Sequence, residues 1–173
     1  MIKFTFNSIA RENYEEIAKA VKLLYKSDFP VIVCIGSDLV VGDSLGPIVG
    51  SKLLEILNGK AYVYGTLSSP ITAKEIETIK QTTKNLHPNS KVIVVDAGVG
   101  IKEDIGQIKI ADYGINPGLG VNKNLPLIGD VSIVGIVGEK IDNETHLNGI
   151  RLNLVNALAY DIIRGLCLAF IKN

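Results

Sequence analysis

Cysteine is scarce in this chain, and so is charge of either sign in excess. Cys34 and Cys167 are the only thiols, far apart and each in an apolar context. They form neither a disulfide framework nor a C-x-x-C pair for zinc or redox chemistry, and they read as small buried hydrophobes. Lys plus Arg (18) balances Asp plus Glu (18), the basic residues are scattered among acids, and no basic run exists. A nucleic-acid partner, which calls for a basic surplus or stripe, is not expected. The opening residues Met1 to Asn7 lack the apolar stretch and small-residue cleavage site of a signal peptide. The longest unbroken apolar run, Leu166 to Ile171, is far short of the ~20 residues of a membrane span. These absences point to a cytoplasmic protein that does not associate with a membrane.

The 47% of apolar residues in a chain of 173 is ample for a packed core, so disorder is excluded and a single domain over residues 1–173 is expected. Apolar spacing predicts a helix over 9–27, capped by Asn7 or Ser8, and further helices over 47–58, 71–86 and 146–171. Between them lie continuous or short apolar runs: 31–35, 62–64, 91–95, 107–111 and 131–137. Runs bounded by Pro and Gly and rich in β-branched residues suit strands buried on both faces. Helices alternating with such strands give an α/β protein of three layers, a twisted, mostly parallel sheet with helices on both faces. The last helix is apolar almost all round, so either the core or a second copy of the chain in a homodimer is expected to cover it.

In such a fold ligands sit outside the carboxyl ends of the strands. The 31–35 strand exits into Gly36-Ser37-Asp38-Leu39-Val40-Val41-Gly42-Asp43-Ser44, and the 91–95 strand runs straight into Asp96-Ala97-Gly98. The first loop has no Lys and two acids, so it does not cradle phosphate, and G-x-G-x-x-G is absent. Ser44 does not fit the G-x-S-x-G elbow either. Taken singly, Asp43 reads as an N-cap of the helix that follows and Asp96 as a cap of the next turn. Taken together, they are two carboxylates at strand ends expected to be neighbours. Close carboxylates share a proton, so that one serves as general base on water while the other polarises a carbonyl. The same two oxygens also suit a divalent cation. His87 is expected on the surface at the end opposite the site, and His146 as a surface residue at the start of the last helix.

The segment Ile110-Ala111-Asp112-Tyr113-Gly114-Ile115-Asn116-Pro117-Gly118-Leu119-Gly120-Val121-Asn122-Lys123 resembles a signature of the bacterial germination protease, which degrades small acid-soluble spore proteins. Asp43-Ser44-Leu45-Gly46-Pro47 and Val94-Val95-Asp96-Ala97 resemble two further motifs of that protease, in the same order. The shorter length and Gly65-Thr66-Leu67-Ser68-Ser69-Pro70 are similar to a sporulation family of unknown function, the YyaC-like proteins. Both resemble the hydrogenase maturation proteases, a twisted, mostly parallel sheet between helices. The resemblance implies an aspartic-type endopeptidase of sporulation or germination, with Asp43 and Asp96 catalytic and a protein substrate such as a small acid-soluble spore protein. Ser37, Asp38, Gly98 and Asn116 are the expected substrate-binding residues. The maturation proteases bind a metal with the acids at these two positions and a later His. The germination protease has His where this chain has Asn116, and Asn is a poor ligand for nickel or zinc. The expectation is therefore no metal and no cofactor. The alternatives are a non-catalytic binding module on a protease-like fold and a metal-dependent maturation protease.

Overall fold

The computed structural model describes residues 2–8, 12–27, 29–117, 126–141, 144–145 and 149–171. One sheet organises them, its strands ordered β1-β5-β6-β4-β2-β3, with a short β7 paired to the far end of β6. These are β1 (Ile2–Asn7), β2 (Val31–Cys34), β3 (Tyr62–Tyr64), β4 (Val92–Gly100), β5 (Gln107–Ala111), β6 (Val131–Ile141) and β7 (Glu144–Thr145). The helices are α1 (Tyr14–Leu24), α2 (Leu45–Leu57), α3 (Ile76–Leu86) and α4 (Leu152–Phe170). The contiguous block β3-β2-β4-β6 is parallel, while β5 and β1 extend it by antiparallel pairing. The α/β class is thus as expected, and the sheet is mixed at the β1 side.

Alternation along each strand assigns the two faces. Ile32 and Cys34 of β2, Ile93 and Val95 of β4, and Ile133 and Val137 of β6 join the larger core with α1, α2 and α4. Val33 of β2 and Val94 of β4 face the other way, into a smaller cluster with Ile76 and Ile79 of α3 and with Ile128. Helices cover both faces because α2 carries the chain from β2 to β3 while α3 carries it back past β2 to β4, and right-handed crossovers in opposite directions lie on opposite sides.

Several boundaries differ from those expected. The expected helix start at residue 9 lies outside the described residues, as do residues 10 and 11; β1 occupies 2–7, and α1 begins after Asn13. Ile2-Lys3-Phe4-Thr5-Phe6-Asn7 alternates apolar and polar, the period of a half-buried strand, and Phe4 and Phe6 stack with centroids 6.3 Å apart. Strand β4 runs five residues past Val95, and β6 four past Val137. The β4 extension runs into the Gly-rich stretch read as loop and is held by pairing with β6, while the β6 extension pairs with β4 through Gly138 and Glu139 and with β7 beyond them.

Helix α4 is long and apolar enough to span a bilayer by length and composition, its apolar residues being spread along the helix rather than in one unbroken run. It carries Asp161 and Arg164, and its buried face, with Val155, Leu158, Ile162 and Leu166, packs on α1, α2 and the sheet. Core burial covers that face; Leu152, Tyr160 and Leu168 remain exposed. Asp161 is 2% exposed and accepts the Asn13 N–H at 3.1 Å, which ties α4 to the start of α1.

Candidate active site

The site arises because β2 stops where β4 does not. The last β2–β4 pair is Cys34 with Val95, followed by one bond from the Ile35 N–H to the Val95 carbonyl at 2.8 Å. Gly36 then turns away at φ +136°, a conformation that L-residues with a side chain rarely adopt, and a Cβ there would lie 2.1 Å from the Asp43 carbonyl oxygen. From Asp96 onward β4 pairs only with β6, Asp96 lying opposite Val134. Its other edge opens on the crevice where the parallel block changes its direction of winding, which is where open α/β sheets bind ligands.

The loop that leaves β2 folds back on itself to present Asp43 at this crevice. The Ser37 N–H donates to the Asp43 carbonyl at 3.1 Å, and the Asp43 N–H to Val40 at 2.9 Å. Residues Val41–Ser44 form a 3-10 turn running into α2. Asp43 is therefore not the cap of α2: Ser44 holds that position without a side-chain capping bond, and its hydroxyl donates to the Val41 carbonyl at 2.7 Å. Helix α2 sits hard on the strand ends, since a Cβ on Gly46 would come within 2.0 Å of the Ile35 carbonyl oxygen and one on Gly50 within 1.8 Å of that of Gly65. This close approach ties the Asp43 turn directly to β2.

Asp96 is not a turn cap either, because its strand continues; its Oδ1 accepts the adjacent Ala97 N–H at 2.9 Å. Burial pushes its carboxyl well above the usual carboxylate range, the negative charge of Asp43 pushes it further, and the Ala97 N–H acts in the opposite sense. Asp43, at the mouth of the crevice, is raised by burial to about 6, with the Ser37 N–H drawing it down. The two carboxyls are thus electrostatic neighbours with unequal proton affinity. Both carboxyls are raised by burial, and Asp96 is raised further by the charge of Asp43.

Asp96 also opens on a cavity of about 480 Å³ between the β4–β6 face and the segment that follows β5. Gly98 and Asn116 line it with Asp96, so three of the expected site residues share one cleft. The Cβ position of Gly98 falls 2.6 Å from Val134 Cγ1, so glycine at that position is already required by the β4–β6 packing. Ser37 is half-buried and acts on the loop, its Oγ accepting the Leu39 N–H at 3.2 Å. Asp38 is exposed and outside the cavity lining. Tyr113, Leu127 and Lys140 line the cleft without having been singled out in the sequence. Tyr113 stands inside the signature segment, while Lys140 lies beyond the expected end of its strand. The Gly118–Lys123 part of that segment and His146 lie outside the described residues. His87 is not a free surface histidine: its Nε2 is 2.8 Å from the Tyr64 hydroxyl and its ring packs on Tyr62 at 4.1 Å.

Among the described residues no three His, Cys, Asp or Glu side chains gather at metal-binding spacing. The donors at the site are two carboxylates and the Asn116 amide, with no imidazole or thiolate among the described residues. Among the described residues that set does not fit a nickel or zinc centre, which favours nitrogen and sulfur ligands.

Residues 5–165 match a family described as "Protein of unknown function (DUF1256)". The chain is 43% identical over 139 residues to the uncharacterized protein YyaC of Bacillus subtilis (strain 168), covering 80% of this chain and 68% of that protein. Its fold is similar to the crystal structure of a [NiFe] hydrogenase maturation protease, HycI, from Thermococcus kodakarensis KOD1. That match has a TM-score of 0.54 and 18% identity, over 88% of this chain and 99% of the other. At that identity the likeness is one of fold.

Proposed function

The chain belongs to the DUF1256 family of proteins of unknown function, and we propose that it is a peptidase that activates water with the carboxyl pair Asp43 and Asp96. The observation that carries this reading is the placement of two carboxyls at one crevice, Asp43 in the turn that follows β2 and Asp96 on β4 just beyond its pairing with β2, with the Asp96 carboxyl raised by burial and by the charge of Asp43. Enzymes that use paired carboxyls keep one ionised as base and one neutral as acid. The protease-like fold agrees with it, although fold alone does not decide chemistry.

In this reading a peptide lies across the open edge of β4. Ionised Asp43 takes a proton from a water molecule as its oxygen bonds to the peptide carbonyl carbon. Neutral Asp96 gives its proton to the carbonyl oxygen, so that no bare oxyanion accumulates in a site of low polarity. When the C–N bond breaks, the amine leaves with the proton held by Asp43, and the hydroxyl proton returns to Asp96. Ser37 positions the Asp43 turn, and Asn116 presents an amide to the substrate from the far wall of the cleft. The substrate class is an unfolded or partly folded protein, with small acid-soluble spore proteins as the first candidates and the cytoplasm of a sporulating cell or spore as the setting.

The test is intact mass spectrometry of an unfolded small acid-soluble spore protein incubated with the wild type, Asp43→Asn, Asp96→Asn and the wild type with a chelator. Cleavage lost by at least about 100-fold in both variants, the low end for removal of an acid–base group, and unaffected by chelator is expected. Cleavage that survives either substitution contradicts the carboxyl-pair mechanism, and cleavage abolished by chelator contradicts a metal-free one.

A further inference from the structure

The cavity that begins at Asp96 ends at a cation with no assigned purpose. Lys140 is exposed and lines the cleft together with Asp96, Tyr113, Asn116 and Leu127. It lies past an irregularity where β6 carries one residue more than β4, between the pairs Gly98–Ile136 and Val99–Gly138. Such bulges re-aim the residues after them and recur beside active sites. The backbone is then held on its other side by pairing of Lys140 with Thr145 of β7. Lys140 has no ion-pair partner among the described residues. Its ammonium is also absent from the influences on the Asp96 carboxyl, which are burial, Asp43 and the Ala97 N–H.

We infer that Lys140 is a specificity-determining residue: the cleft selects a polypeptide segment that carries a carboxylate a short distance from the bond held at Asp43 and Asp96. The rest of the lining supports a peptide rather than a highly charged ligand. Ile115, Leu127 and Val134 give it apolar walls, and Lys140 is the one cation on it among the described residues. A phosphate group calls for a second cation or a nest of N–H donors, whereas a single carboxylate is matched by one ammonium. That carboxylate has two sources, an acidic side chain or the free C-terminus of the bound chain. The inference rests on the hydrolase reading for where the substrate lies, so its test reads binding and not turnover.

Fluorescein-labelled octapeptides of Gly and Leu with one central Glu, Gln or Lys, each with a free or an amidated C-terminus, serve as probes. Fluorescence anisotropy measures their binding to the full chain carrying Asp43→Asn, which holds turnover off, alone and combined with Lys140→Ala or Lys140→Glu. A carboxylate-bearing peptide is expected to bind about tenfold more tightly than the amidated Gln peptide, the size of one partly desolvated charge pair. Lys140→Ala removes that preference and Lys140→Glu turns it toward the Lys peptide, with unfolding midpoints unchanged because the side chain is exposed. Preference for the amidated Glu peptide identifies a side-chain carboxylate, and preference for the free-acid Gln peptide a C-terminal one. A preference that persists in Lys140→Ala, or binding that is equal or absent for all peptides, overturns the inference. Charge-selective binding by a protein whose wild type cleaves none of these peptides would instead count against the hydrolase reading and leave Lys140 in its role.

Discussion

At the scale of single residues, the site works against the stability of the fold. A carboxyl raised by burial favours the protonated form, so Asp43 contributes no penalty below its usual value of 3.8. The unfolded chain then gains stability on the folded one as pH rises from about 4 to about 6, where the folded carboxyl also ionises. A displacement from 3.8 to about 6 corresponds to at most about 3 kcal/mol, and solvent access to this half-buried side chain lowers the expected effect to about 1–2 kcal/mol. Asp43→Asn should therefore stabilise the protein by that amount at pH 7 and by nothing at pH 3.5, as read from urea unfolding at the two pH values. Removing the Asp43 charge also eases the burden on Asp96, which acts in the same direction. Asp96 was legible because it directly follows a buried apolar run and Asp43 because it lies in the loop between such a run and a helix; each alone reads as a cap, and only the expected adjacency of the two strands makes them a pair. Lys140 was not legible, because nothing in Gly138-Glu139-Lys140 separates a strand end from a solvated loop.

At the scale of elements, the crevice depends on strands of unequal length and on helices that approach backbone to backbone. The length of β4 could not be read, since Gly98 and Gly100 carry no strand preference and are held in place by β6, a tertiary cause. The start of α1 was placed too early because helical spacing does not mark a first turn, and Asn13, which precedes α1, makes no side-chain capping bond. By contrast β3 and β5 coincide with their expected limits, each being closed by glycine or by a clear change of pattern. The α1–α4 contact offers a direct check of the packing. A Cβ on Gly165 would lie 2.4 Å from Ile17 Cγ2 and 2.9 Å from Ile17 Cβ, atoms too near the backbone to move aside. Gly165→Ala should thus destabilise by about 1–3 kcal/mol, although the same change in an isolated helix stabilises by about 1 kcal/mol. Thermal unfolding of this variant at fixed pH measures the balance, and a gain in stability would mean that the helices are less closely apposed.

At the scale of the whole molecule, the fold class was readable because alternation of amphipathic helices with doubly buried strands admits few arrangements. From that class alone follows the rule that the ends of parallel strands carry the site, and the adjacency of β2 and β4 turns two acids 53 positions apart into a pair (43 to 96). The antiparallel direction of β5, itself expected as a strand, was not readable, since pairing direction leaves no mark on so short a strand, and β1 was not expected as a strand at all. Everything proposed about activity rests on that pair being coupled. Carboxyl carbon NMR of the chain labelled at aspartate, titrated between pH 3 and 9 in the wild type and in Asp43→Asn, tests it without a substrate. The account predicts that Asp96 titrates well above Asp43 in the wild type and that its midpoint falls when Asp43 becomes neutral. An Asp96 that titrates in the ordinary carboxylate range, or whose midpoint does not respond to Asp43→Asn, would contradict it.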